Sequence, residues 1–271
     1  MIFKKLYFKT KLAFLIILNY IILIMNKNLP QTEQLYRNGK PIDQLSFSDA
    51  ITLMINEQKN ASLEVKKASK SIEIATNKIY QHLTLNPKGR LVYTGAGTSG
   101  RIGVQDGVEL LPTFNWPKKR LDFIIAGGNR AFLNSIENAE DDHLKAIEVV
   151  SKKSINKQDV IIGLAASGNT PFTCKVLEEA YKKGAFTLAI SNNPKGELLK
   201  FGKCEIILDT KEELISGSTR LKAGTAQKIC LNIISSMIMV KMGRVKNGIM
   251  THMLPTNKKL RDRKLRIDNQ M

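Results

Sequence analysis

Cysteine is scarce in this 271-residue chain: three residues, Cys174, Cys204 and Cys230, an odd number at wide spacing with no C-x-x-C pair. That excludes a disulfide framework and a structural zinc site, and fits a reducing compartment. Histidine is equally sparse. His82, His143 and His252 show no ligand spacing to one another, so neither metal nor catalysis is assigned to them, and no metal or cofactor is expected. The single tryptophan, Trp116, and Cys174 read as packing residues. Acid is short against base, 24 Asp and Glu against 42 Lys and Arg, for a formal charge of +18. Such an excess suggests an anionic partner, but residues 1–30 and 257–271 supply half of it and no aromatic-interleaved basic motif accompanies it. A nucleic-acid partner is therefore not expected.

Long apolar runs are absent as well. The one candidate, Leu12 to Met25 behind Lys4, Lys5, Lys9 and Lys11, would span about 21 Å as a helix, short of the roughly 30 Å hydrocarbon core. No small-x-small cleavage site follows it. It reads as a signal-like segment, a short anchor, or sequence upstream of a true start at Met25, the last being preferred; a membrane partner is not expected. No internal repeat or low-complexity linker divides the rest. The length suits one core with helical additions: an apolar extension at 1–25, a helical region at 26–80, the main domain at 81–243 and a basic tail at 244–271.

What is present is an alternation. Apolar residues at helical spacing from Gln31 to about Gln81 give way to five short runs, Arg90–Tyr93, Asp122–Ala126, Asp159–Leu164, Phe186–Ile190 and Glu205–Leu208, separated by helix-length segments. That pattern predicts an α/β fold: a doubly wound, five-stranded parallel sheet sandwich with flanking N-terminal and C-terminal helices. Ligands of such sheets sit at the carboxyl ends of the strands, and the glycine- and hydroxyl-rich segments fall there: "GAGTSGR" (95–101), "AGGNR" (126–130), "AASGNTP" (165–171), "SNNPKG" (191–196) and, after the fifth run, "SGSTRLKAGTAQK" (216–228).

The first of these has the G-x-G-x-x-G spacing of dinucleotide turns, yet the second run ends in Ala126-Gly127-Gly128, without the acid that would hold a ribose. Gly100 is followed by Arg101 and Ile102, which excludes a P-loop. In the third loop Thr170 is an N-cap candidate with Pro171 at the first helical position. Amides and hydroxyls at such a helix start suit a phosphate, and two loops of this kind favour a phosphate-bearing ligand over a pair of mere turns. Glu109, among Val108, Leu110 and Leu111, is either a partly buried carboxyl with a raised pKa, suited to acid–base work, or an exposed helix residue. Glu137 and Glu140, three apart, would share a helix face, more in keeping with a solvated surface than with catalysis.

"GRLVYTGAGTSGRIGVQDGVELLPTF", "IAGGNRAFLNSIENAEDD", "DVIIGLAASGNTPF" and "SGSTRLKAGTAQKICLN", in that order and spacing, resemble the N-acetylmuramic acid 6-phosphate etherase family of the sugar isomerase (SIS) domain superfamily, from about Thr32 to Leu265. The resemblance implies a metal- and nucleotide-free lyase that removes D-lactate from carbon 3 of N-acetylmuramic acid 6-phosphate by elimination and hydration. By motif position it makes Glu109 the proton donor and Glu140 the second catalytic glutamate. It assigns Thr98, Ser99, Ser167, Asn169 and Thr170 to the sugar phosphate and Glu213 to the sugar, with Arg220 and Lys222 as weaker assignments. It further implies a homodimer with active sites at the interface and, because the substrate arises in the bacterial cytoplasm, a cytoplasmic protein. Two departures accompany it: Val108 and Leu110-Leu111 replace the serine and cysteine-proline that usually flank the glutamate, and the helical domain that commonly follows "TNKKL" is not seen. A non-catalytic sugar-phosphate-binding regulator and a phosphosugar isomerase stand as the alternatives.

Overall fold

The five apolar runs fold as strands. The computed structural model describes residues 29–255, 258, 260–262 and 265; the 12–25 run and most of residues 257–271 lie outside the described residues. The strands are β1 (Leu91–Gly95), β2 (Leu121–Ile125), β3 (Val160–Ala165), β4 (Phe186–Ser191) and β5 (Cys204–Ile207), each within two residues of the expected run. They pair in parallel in the order β2-β1-β3-β4-β5, with Leu91 opposite both Leu121 and Val160.

A parallel sheet must be covered on both faces, and the period of two along each strand divides the cover. Leu91, Tyr93, Ile162, Leu164, Leu188 and Ile190 face one core. It is completed by α1 (Phe47–Lys67), α2 (Ser69–Leu85) and α7 (Lys222–Lys241) through Val65, Ile72, Ile79, Leu231 and Ile238. Val92, Ile124, Ile161, Ala165 and Ala189 face the other, packing with Val150 of α5 (His143–Lys152) and with Phe172, Val176 and Leu177 of α6 (Pro171–Lys182). Because α2 runs unbroken through the expected boundary at 80 and buries Ile79 and Leu83 in the sheet's core, the N-terminal helices share that core. Two further helices, α3 (Gly97–Val108) and α4 (Leu110–Phe114), follow β1, and a ribbon of β6 (Val245–Lys246) and β7 (Ile249–Met250) follows α7.

One consequence of the strand order positions the site. The chain leaves β1 toward β2 on one side and returns to β3 on the other, so the loops after β1 and β3 part at a topological switch point, where open α/β sheets hold their ligands.

Candidate functional site

The loop after β1 is held tight by its glycines. A Cβ on Gly95 would sit 2.8 Å from the amide nitrogen of Gly100, so neither strand end nor helix start tolerates a side chain at that approach. Helix α3 begins there with no side-chain cap, Thr98 and Ser99 in its first turn. The loop after β3 closes differently. Gly168, at φ +74°, meets the loop after β4, where a Cβ would stand 2.5 Å from Cα of Gly196. The Asn169 Oδ1 accepts from the Glu197 amide at 2.9 Å, and the Asn193 side-chain amide donates to the Ser167 carbonyl at 3.1 Å. Thr170 occupies the N-cap position of α6 with Pro171 first in the helix, as expected, but its hydroxyl makes no capping bond. Two helix starts without side-chain caps therefore converge.

Between them lies a cleft of about 460 Å³ lined by Thr98, Ser99, Ser167, Asn169, Thr170 and Glu140, with Gly217 and Thr219 from the loop before α7. Five expected phosphate-site residues and one of two expected catalytic glutamates are thus brought together. The charged residues on its wall are Glu33, Glu140 and Asp141; no lysine or arginine among the described residues lines it, so an anion there would be met by amides and hydroxyls. Arg101 braces the segment leading to Glu140, donating to the carbonyls of Ala131 and Asn134, both at 2.9 Å.

The structure decides between the two readings of Glu109 and departs from two further expectations. Glu109 is not partly buried: the chain turns at the α3–α4 junction so that Leu110 points inward at 2% exposure, while Val108, 48% exposed, and Glu109 face outward. It stands at the far end of the 12-residue α3, about 18 Å of helix from the cleft. Glu137 and Glu140 share no helix face, because Asn138 between them is left-handed (φ +57°) and only the 3-10 turn Ala139–Asp141 follows. Glu140 consequently enters the cleft and Glu137 lines the neighbouring crevice. Glu213 is not on the cleft wall. It is 1% exposed, and its carboxylate accepts the Lys222 and Ala223 amides at 3.0 and 2.8 Å. Burial raises its pKa, and the two amides and Lys222 oppose the rise. Lys222 pairs with Glu57 of α1 at 2.6 Å.

Glu33, on the short 3-10 helix Gln31–Glu33, was not expected at the site. Its only sequence signal was the resemblance beginning at Thr32. The cysteines are all buried, and burial pushes the Cys174 thiol up to about 12.

Two family models match the chain: the glucokinase regulatory protein N-terminal SIS domain over residues 73–181 and the SIS domain over 139–237. Relatives named N-acetylmuramic acid 6-phosphate etherase include one from Deinococcus radiodurans, 43% identical over 237 residues, 88% of this chain and 77% of the relative. Another, from Bacillus thuringiensis, is 40% identical over 86% of this chain and 79% of its own. A third, from Mycoplasma mycoides, is 37% identical over 89% and 79%. Among solved structures, a ligand complex of an E. coli CFT073 protein has a TM-score of 0.54 at 16% identity, covering 75% of this chain and 97% of that one. The phosphoheptose isomerase of Neisseria gonorrhoeae has 0.53 at 14%, covering 71% and 98%. These two likenesses show the fold, and the relatives go further: the chain belongs to the N-acetylmuramic acid 6-phosphate etherase family.

Proposed function

We propose that this protein is a carbon–oxygen lyase that converts N-acetylmuramic acid 6-phosphate and water to N-acetylglucosamine 6-phosphate and D-lactate. The convergence of two hydroxyl-bearing loops and Glu140 on one cleft carries this reading. The phosphate sits against the starts of α3 and α6, where amides and the side chains of Thr98, Ser99, Ser167, Asn169 and Thr170 meet a negative charge. The sugar then extends toward Glu140. In the open-chain form the hydrogen on carbon 2 is acidified by the adjacent aldehyde. A carboxylate takes it as the carbon 3–oxygen bond breaks, and the departing oxygen of lactate receives a proton. Water adds across the resulting double bond, restoring hydrogen to carbon 2 and hydroxyl to carbon 3. The reaction so written needs no metal or cofactor.

Glu140 is the group that takes the carbon 2 proton, and Glu109 the group that protonates the leaving oxygen. At the far end of α3, Glu109 is farther from its own cleft than a single sugar spans, so it acts in the cleft of a second copy; the working unit is a homodimer with its sites between copies. An outward apolar stripe on α7, with Ile233, Met237 and Val240 at 38–45% exposure, supports such an association. Glu213 contributes by holding the start of α7 rather than by touching sugar. The compartment is the cytoplasm, where the substrate arises.

The match to a regulatory SIS domain favours a second reading, a sugar-phosphate sensor. Enzymatic assay of D-lactate from N-acetylmuramic acid 6-phosphate separates the two. Stoichiometric lactate supports the lyase; a folded protein that binds the sugar phosphate and releases none is the sensor. Isomerised sugar without lactate would overturn both.

A further inference from the structure

The cleft carries a carboxylate with no part in the reaction as described. Glu33 is brought there by an N-terminal clasp anchored to the loop before α7. Thr32 is fully buried, the Tyr36 amide donates to Ser216 Oγ at 3.2 Å, and Asn38 donates to the Glu212 carboxylate at 2.9 Å. Lys211 reaches Gln31 Oε1 at 3.3 Å. Gly217 leaves the side chain room: a Cβ there would stand 3.3 Å from Glu33 Oε2. Among the described residues no hydrogen bond or ion pair occupies the Glu33 carboxylate, so an ordered clasp holds an acceptor that none of those residues uses.

Which end of the ligand it would meet follows from charge. Beside a phosphate a carboxylate repels, and the phosphate-suited groups are the hydroxyls and amides of the two helix starts. Glu33 lies instead within electrostatic reach of Glu140: burial, and then the Glu140 charge, push its carboxyl above the usual range. Glu33 and Glu140 therefore belong to the same, sugar-facing end. We propose that Glu33 is a specificity-determining residue that binds the sugar, its carboxylate accepting hydrogen bonds from sugar hydroxyls while the loops after β1 and β3 hold the phosphate. Sugar hydroxyls are donors in search of acceptors, and a charged acceptor makes the stronger bond. The inference rests on the sugar-phosphate reading of the cleft and adds to it the group that distinguishes a sugar phosphate from bare phosphate.

The test compares two ligands on the full chain. Affinities for N-acetylglucosamine 6-phosphate and for inorganic phosphate are measured by calorimetry or by competition, in the parent and in Glu33→Ala and Glu33→Gln. The expected result is at least about a tenfold loss for the sugar phosphate in Glu33→Ala, a smaller loss in Glu33→Gln, which keeps one acceptor, and phosphate affinity undiminished in both. Lactate release should show a matching rise in KM. Sugar-phosphate binding equal to the parent's in both variants would overturn the proposal, as would a parallel loss of both ligands in variants that melt like the parent. A parent that binds neither ligand would instead sink the reading of the cleft itself. Should Glu33→Ala fail to fold, Glu33→Gln, which preserves shape and volume, decides alone.

Discussion

Glu140 lines the cleft yet accepts no hydrogen bond and joins no ion pair with any described residue, which separates its chemistry from the stability of the fold. Glu140→Gln should therefore leave the melting temperature where it is and lower lactate release by about a hundredfold, the scale of a lost general acid or base. Unchanged turnover would remove Glu140 from the reaction. His82 makes the opposite case, a titratable group with a part in stability alone. Its ring packs on Phe186 with centroids 5.5 Å apart, and Nε2 meets the Gln158 carbonyl at 3.1 Å. Burial pulls its pKa below the ordinary 6.5, more than the Gln158 carbonyl raises it. As pH falls through that value the unfolded chain takes up a proton that the folded chain still refuses. The His82 contribution is thus fully present above the unfolded pKa and is lost as pH falls toward the folded one. Urea midpoints taken on either side of that window should differ in the parent and differ less in His82→Gln. An equal difference in the two would place the pH sensitivity elsewhere.

Helix α3 links the cleft to the rest of the protein, and one buried carboxylate fixes it. Asp106 accepts from the Tyr93 hydroxyl on β1 at 2.8 Å and, on α7, from Asn232 at 2.8 Å and Ser235 at 3.0 Å. Burial, together with the Asp106 charge, holds the Tyr93 hydroxyl well above its usual pKa and so in the donating form. Asp106→Ala strands three donors and should lower unfolding stability by about 2–4 kcal/mol. Asp106→Asn, which keeps one acceptor but turns an amide toward donors, should fall in between. Urea unfolding checks both, and a near-neutral Asp106→Ala would show the network to be incidental. None of this network was legible in the sequence, where Asp106 is one acid on a glycine-rich helix. The strands were legible because burial on both faces makes them nearly continuous apolar runs, and the site loops because glycines and hydroxyls gather at strand ends. Single residues at joints were not. Leu110 alone turns inward at the α3–α4 junction, so apolar neighbours did not imply a buried Glu109. One left-handed Asn138 undid the helical spacing of Glu137 and Glu140, and Glu33 depends on contacts 180 positions away, such as Tyr36 to Ser216.

At the scale of the whole molecule, the roles proposed for Glu109 and Glu140 set a separation within one chain that a second copy would bridge. Glu140 is in the cleft and Glu109 is about 18 Å of helix away from it, while α1, α2 and α7 leave an apolar groove of about 590 Å³ bordered by Ile229, Ile233 and Met237. A two-fold association would cover such a surface on both copies at once and exchange any residue that reaches across it. Mixing variants tests the exchange without assuming its geometry. Glu109→Gln and Glu140→Gln should each be inactive alone. Unfolded together and refolded at equal amounts, half the dimers are mixed, and each mixed dimer has one cleft holding an intact Glu140 of its own and an intact Glu109 from its partner. About a quarter of the parent's lactate release should return. If each chain instead supplied both glutamates to its own cleft, the mixture would be as silent as its components. Recovery therefore requires a dimer and a shared site together, whereas silence from a mixture shown to be dimeric by sedimentation would return Glu109 to its own chain or remove it from the reaction.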